Sequence, residues 1–230
     1  MTAAAAPQRV QSRSERTRRE LLEAAEFLFA ERGFHATRLE DVAERVGIRK
    51  PSLLYHFPDK RALYDAVLGE LVGGLMTRLQ RILDGTSSLS DSIEAAVDAW
   101  VLYVGERPAI ARILLREVAD ARPGYPSLFV QHALPLLGLM NQTIRAGQRR
   151  KIFLGIDPIH LASTVTGATV FFLLGTPLLG DSWPHDPRSS GQLEQLRQEL
   201  RRVTRRLLGL TGATPKKRAR STTGSLPSSK

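Results

Sequence analysis

Thr37-Arg38-Leu39-Glu40-Asp41-Val42-Ala43-Glu44-Arg45-Val46-Gly47-Ile48-Arg49-Lys50-Pro51-Ser52-Leu53-Leu54-Tyr55-His56-Phe57-Pro58-Asp59-Lys60 reads as two short helices on either side of one glycine. Thr37 followed three residues later by Glu40 has the form of a capping box, which predicts a helix start at that point. Leu39, Val42, Ala43 and Val46 then recur at i, i+3, i+4 and i+7, one face of a helix. Gly47 supplies a sharp turn, and Ile48 is placed to plug back into a core. Lys50-Pro51 opens the second short helix, where proline is tolerated because first-turn N–H groups have no intrahelical partner. Its spacing puts Leu53 and Phe57 inward and leaves Lys50, Ser52, Leu54, Tyr55 and His56 outside. Pro58-Asp59 ends it, and a long helix is expected from about Lys60 to Leu83.

Working outward, Ser12-Arg13-Ser14-Glu15 fits a second capping box, followed by Leu21, Ala25, Leu28 and Phe29 at helical spacing up to Gly33. Three helices are therefore expected over residues 12–59, the last two in helix-turn-helix order. Beyond a linker at Gly85–Ser90, helical patterns recur over roughly 91–106, 108–120, 126–148, 158–175 and 191–209. The breaks are Arg107-Pro108, Arg122-Pro123-Gly124, Gly155 to Pro158 and the stretch 177–187. No alternating β-branched run is long enough for a sheet, so the expected fold is all-α. Residues 1–11 read as a flexible arm, 60–210 as a helical regulatory and dimerisation domain, and 211–230 as a disordered basic tail.

Composition narrows the function classes. The 230-residue chain has no cysteine, which excludes disulfides, thiolate metal sites and cysteine nucleophiles. The five histidines, at 35, 56, 132, 160 and 185, share no metal-like spacing, so no metal or cofactor is expected. No His-Glu-x-x-His, Gly-x-Ser-x-Gly or phosphate-loop pattern supports an enzyme. Met1 to Arg19 lacks the apolar segment of a secretory signal, which suits a cytoplasmic protein. The net charge is +10, yet residues 141–230 hold 15 basic against 5 acidic side chains, so charge alone does not locate a nucleic-acid-reading element.

Gly33-Phe34-His35-Ala36-Thr37, Leu39-Glu40-Asp41-Val42-Ala43, Val46-Gly47-Ile48, and Leu53 with Tyr55-His56-Phe57-Pro58-Asp59-Lys60 together resemble the TetR family signature, over roughly residues 14–62. The resemblance implies a DNA-binding transcriptional regulator, in most cases a ligand-responsive repressor that binds a palindromic double-stranded operator as a homodimer. It implies that Thr37 caps the second helix and touches a phosphate with its hydroxyl. Lys50, Pro51 and Leu54 fall where family members meet base edges, Ser52, Tyr55 and His56 where they hold phosphates or sugars. Lys60 matches a phosphate-contacting lysine, and Arg38 can reach phosphate or base. Leu54 departs from a frequent tyrosine and Arg49 from a common serine, so the base preference is this chain's own. The arginines of residues 9–19 read either as a solvated arm or as phosphate or minor-groove contacts.

In the last helix Leu193, Leu196, Leu200, Val203 and Leu207 alternate at three and four residues, a seam suited to a partner helix or to the chain's own core. Arg197, Arg201, Arg202, Arg205 and Arg206 are assigned to its opposite side. Residues 158–180 carry no charge apart from His160. That stretch is long enough for a membrane span, but its Thr, Ser, Ala and Gly content favours a helix buried between a core and a partner, hence no membrane. With the last helix it would form the four-helix dimer interface that the resemblance implies. The same resemblance places an effector pocket among helices 91–176, for which Trp100, Tyr103, Phe129, His132, Met140 and Phe171 are the candidate lining and a small apolar effector the expected ligand. Arg107 and Arg116 either pair an acidic ligand or their neighbours Glu106 and Glu117. Two other classes compete: a non-regulatory architectural DNA-binding protein, and a helical dimer that binds only proteins.

Overall fold

The computed structural model describes residues 13–85, 88–120 and 127–210. The flexible arm and basic tail expected at the two ends, Ser12 of the second capping box and the Arg122-Pro123-Gly124 break lie outside them. Among the described residues there are nine α-helices, one 3-10 segment and no strand. They are α1 (Arg13–Ala36), α2 (Leu39–Val46), α3 (Lys50–His56), α4 (Lys60–Gly85), α5 (Leu89–Glu106), α6 (Ala109–Ala119), α7 (Leu128–Arg149), α8 (Pro158–Gly175) and α9 (Ser190–Leu207), with the 3-10 segment at Thr176–Ser182 between the last two.

The termini follow from short polar side chains. The Asp59 carboxylate accepts the Ala62 N–H at 2.7 Å and starts α4. Ser88, Ser127 and Asp157 cap α5, α7 and α8 in the same way. Gly33 departs from helical geometry at φ 81°, so the regular path of α1 stops at the glycine the sequence marks. Gly47 is left-handed at φ 75°, ψ 28°, which turns α2 into α3 within three residues.

One core cluster joins α1, α2, α3 and α4 through Leu21, Ala25, Phe29, Val42, Leu53, Phe57, Leu63 and Leu68, and continues into α5 and α6. A second joins α5, α7, α8 and α9 through Val97, Val101, Ile144, Leu161 and Leu200. α4 belongs to the first. Over its 26 residues it is about 39 Å long.

The α9 seam is the main correction to the sequence reading. Leu200 is 4% exposed inside the chain's own core, and Leu193 and Leu196 pack against that core as well. Val203 and Leu207 stay more than one-third exposed. The arginines assigned to the opposite side instead run along the α5 contact. Arg201 Nη2 donates to Glu94 Oε2 at 2.7 Å, Arg205 donates to Glu94 Oε1, and Arg197 lies beside Asp98. Only Arg202 and Arg206 face away. Two buried or half-buried acids on α5, invisible to a single-helix reading, turned the stripe.

α8 continues through the 3-10 segment as one stretch, Pro158–Ser182, long and apolar enough by length and composition to cross a membrane; 28% of its apolar window is buried. Its inner face, with Leu161, Val165, Thr169, Val170 and Leu173, packs against the chain. Its outer face is uncovered: Ser163, Thr164, Gly167 and Ala168 are exposed, Phe171 is 74% exposed, and Leu178 is 87% exposed just beyond.

Candidate DNA-binding site

α3 is held by its two inward residues. Leu53 is fully buried and Phe57 nearly so, and burying such a side chain contributes about 2 kcal/mol relative to exposure. Ile48 N–H donates to the Ala43 carbonyl at 3.0 Å, locking the turn. The remaining side chains then have no choice of face. Lys50, Pro51, Ser52, Leu54 and Tyr55 are exposed, Tyr55 at 82%, and His56 is half-buried with its ring edge-on to Tyr55. Tyr55 therefore does not pack beneath α3. Arg38 and Arg49 are exposed at the entrances of α2 and α3.

Two cations of this surface are already engaged. Lys50 Nζ pairs with Glu40 Oε1 at 2.7 Å across the turn. That hydrogen bond holds the Glu40 carboxyl below the usual carboxylate range. Lys60 Nζ donates to the carbonyls of His35 at 3.2 Å and Thr37 at 3.1 Å and lies 4.6 Å from the Phe34 ring centroid. It ties the start of α4 to the segment between α1 and α2, with one ammonium proton left over for an outside acceptor.

Thr37 is not where the sequence put it. Its side chain is 1% exposed, and its hydroxyl is shared between the carbonyls of Gly33 at 2.8 Å and Leu28 at 3.2 Å. The N-cap of α2 is Arg38, with no side-chain cap. The buried hydroxyl is committed to carbonyls near the point where the regular path of α1 stops, so it neither caps α2 nor faces phosphate. The pairing of Glu40 with Lys50 is not written in the spacing, because the two are ten positions apart and meet only once the turn has closed.

The helical body holds a cavity of about 140 Å³ between α4, α5, α7 and α8. Of the six residues expected to line it, Trp100 and Met140 do. Tyr103 instead donates its hydroxyl to the Leu71 carbonyl at 2.6 Å, and Phe129 is core. His132 Nε2 pairs with Asp65 Oδ1 at 2.9 Å across α7 and α4, and Phe171 points outward. Aliphatic residues such as Leu75, Leu79, Leu139 and Val165 take their places. They carry no signal of their own, since cavity wall and core share one pattern. Arg107 and Arg116 do not pair with their sequence neighbours Glu106 and Glu117. Arg107 pairs with Glu26, and Arg116 donates to the carbonyls of Ala30 and Glu31 at the end of α1. Tyr64 on α4 donates to Glu117 on α6 at 2.7 Å, its phenol pushed up by burial and then by that carboxylate. α6 is thereby fastened to both α1 and α4.

A three-helix amino-terminal unit with a buried-base, polar-faced third helix, set on a helical body, defines a helix-turn-helix protein. Residues 21–67 match the family described as "Bacterial regulatory proteins, tetR family". It is 38% identical over 87 residues to the HTH-type transcriptional activator FasR of Mycolicibacterium smegmatis (strain ATCC 700084 / mc(2)155), covering 38% of this chain and 40% of FasR. It is 28% identical over 149 residues to the HTH-type transcriptional regulator RutR of Escherichia coli (strain K12), covering 65% and 70%. The first match thus spans well under two thirds of that relative. Among solved structures, the fatty acid degradation regulator FadR from Bacillus halodurans superposes with a TM-score of 0.66 at 12% identity, over 84% of this chain and 97% of that one, a likeness of fold.

Proposed function

We propose that the protein is a ligand-responsive transcriptional repressor that binds a palindromic operator as a homodimer. The observation that carries the reading is the exposed face of α3, with Lys50, Pro51, Ser52, Leu54 and Tyr55 outward on a base fixed by Leu53 and Phe57. A helix seven residues long and anchored on one side fits the major groove of B-DNA. Lys50, Pro51 and Leu54 are assigned to base edges, and Leu54 suits a thymine methyl group. Arg38, Ser52, Tyr55, His56 and the free proton of Lys60 are assigned to the backbone.

The uncovered outer face of α8 supports a second copy. Small residues at 163, 164, 167 and 168 let a facing helix approach closely, and the exposed Phe171 and Leu178 need cover. Val203 and Leu207 of α9 extend that face. Pairing there, rather than in lipid, leaves the two α3 helices facing one side, about one DNA turn apart. A cytoplasmic location follows from an operator target. Repression is the simplest outcome, since a bound dimer blocks a promoter without further contacts.

Regulation needs a ligand that binds one arrangement better than the other. α4 connects the two ends: Leu75 and Leu79 line the cavity, while Lys60 grips the α1–α2 corner. A shift of its cavity end changes the spacing of the α3 pair.

The test is selection of double-stranded DNA from a random pool by the full chain, followed by salt titration of the recovered sequence. An inverted repeat is expected. Lys50→Ala should change the preferred bases, and Lys60→Ala should weaken binding to all sequences. Equal affinity for selected and random DNA would leave only the architectural reading, and no DNA binding at all would overturn both.

A further inference from the structure

The end of the body remote from α3 carries a concentration of unneutralised positive charge. α7 starts beside the foot of α4, where His132 pairs with Asp65, and runs along it toward Leu83, which shares the cavity lining with Met140 and Ile144. The end of α7 therefore lies roughly 30 Å along the body from Lys60. There the Leu154 N–H donates to the Leu208 carbonyl at 2.9 Å, which lays the turn after α7 against the end of α9. Arg145, Arg149, Arg150 and Lys151 from the first and Arg206 from the second are all exposed. None of the five forms an ion pair among the described residues; Arg145 donates to the neutral Gln148 Oε1 at 3.1 Å. Residues 141–160 contain one acid, Asp157, whose carboxylate accepts the Ile159 N–H and caps α8, and residues 201–210 contain none. About half a unit of negative charge at each helix C-terminus draws cations to this end, but five full charges exceed it several-fold.

Lys151 stands where the backbone prefers another residue. Its φ is 57°, in the left-handed region, and no other non-glycine among the described residues has a positive φ. The Ile152 N–H donates to the Gly147 carbonyl and the Lys151 N–H to that of Gln148, both at 2.9 Å. This pairing closes a helix end on a left-handed residue, most often glycine. A Cβ strains that conformation, so glycine would serve the fold better. What lysine adds is its ammonium group.

The partner that suits this surface is a phosphodiester backbone. Four of the five cations are arginines, whose planar fork matches phosphate. No exposed aromatic ring accompanies them as an anchor for lipid, since Phe153 in the same turn is 5% exposed. The sequence beyond Leu210 adds Lys216, Lys217, Arg218 and Arg220 without an acid. We propose that this end of the body is a second, sequence-independent nucleic-acid contact, which holds the backbone of a DNA duplex other than the one under α3. DNA is stiff over tens of base pairs, so a duplex lying under α3 does not reach the opposite end. A chain engaged at both ends joins two DNA segments. The contact goes beyond the operator reading and does not depend on it.

Lysine acylation footprinting, read residue by residue by mass spectrometry, separates the two ends, because Lys50 and Lys60 report on one and Lys151 on the other. The full-length protein is titrated with a short double-stranded DNA of random sequence at low salt. Lys151 is expected to become protected several-fold and saturably, and to reopen as salt rises. Arg149→Ala with Arg150→Ala should weaken that protection and reduce its salt slope by about 1.8, two contacts at about 0.9 each, with Lys50 and Lys60 unaffected. Lys151→Gly should raise the melting temperature yet lower capture of a second, labelled duplex by protein held on beads that carry the first. A loss of capture that came from unfolding would lower the melting temperature instead. Lys151 left open when Lys50 and Lys60 are saturated, or protection unchanged in the double variant, would overturn the proposal. So would protection of Lys216 and Lys217 alone, or stronger protection of Lys151 by phosphatidylserine vesicles than by the duplex. Lys151 protected while Lys50 and Lys60 stay open sinks the operator reading and leaves this contact standing.

Discussion

Thr37 and Lys50 show how single side chains in one motif divide between holding the fold and standing on its surface. Thr37 is sealed beneath the α1–α2 corner, and its hydroxyl serves the carbonyls of Leu28 and Gly33. Thr37→Val should lower unfolding free energy by about 1–2 kcal/mol in urea titration, the cost of leaving buried carbonyls unpaired. The salt slope of DNA binding should stay unchanged, whereas a lost phosphate contact would reduce it by about 0.9. Lys50 is exposed and paired with Glu40, so the proposed base contact requires it to leave that carboxylate. Glu40→Gln should raise affinity for random DNA several-fold at low salt, steepen the slope, and narrow the gap between operator and non-operator. Unchanged random-sequence affinity, measured by fluorescence anisotropy, would rule Glu40 out as a brake on sequence-independent binding.

At the scale of elements, the α5–α9 contact is the most strongly coupled ionic one. Burial alone would raise the Glu94 carboxyl, but hydrogen bonds from Arg201 and Arg205 outweigh it and hold the group below its usual range. A carboxyl depressed on folding stabilises the native state above its unfolded value, near 4.5, and the contribution is lost as pH falls through the lower folded value. Asp98 acts in the opposite sense. Burial raises it despite Arg201 and Arg197, so its contribution is present at low pH and lost as pH rises. Glu94→Gln should therefore cost about 2 kcal/mol at pH 7 and less at pH 3, while Asp98→Asn should be near neutral or stabilising at pH 7. Urea titrations at the two pH values check both signs. The same contact explains why the leucine seam of α9 was misread. A three-four repeat specifies which residues share a face, and Glu94, more than a hundred residues away, decides what that face meets.

For the whole molecule, the exposed stripe on α8 is the proposed pairing surface. Phe171→Glu puts a charge at the centre of that stripe and should convert a dimer to a monomer by sedimentation, with helix content and melting of the isolated chain little changed. A variant as dimeric as the parent would move the interface elsewhere. Operator affinity should fall with dimer loss far more than the single substitution explains, because two α3 helices then bind as independent units. The junction of α6 with α1 and α4, through Arg116 and Glu117, with Arg107 at the end of α5 pairing Glu26 of α1, ties the helix-turn-helix unit to the body.

The local order of this chain was legible without coordinates. Helix periodicity, the cap at Asp59, the turn at Gly47 and the inward pair Leu53 and Phe57 all depend on neighbours within one or two turns, and those are written consecutively. The exposed face of α3 follows by subtraction. Contacts between distant segments decided the rest: Thr37 buried instead of capping, Glu40 beside Lys50, α9 leaning on α5, and an aliphatic cavity in place of the aromatic one expected. Burial and pairing across elements are properties of packing, and a repeat of apolar residues reads the same whether it faces a core, a void or a second chain.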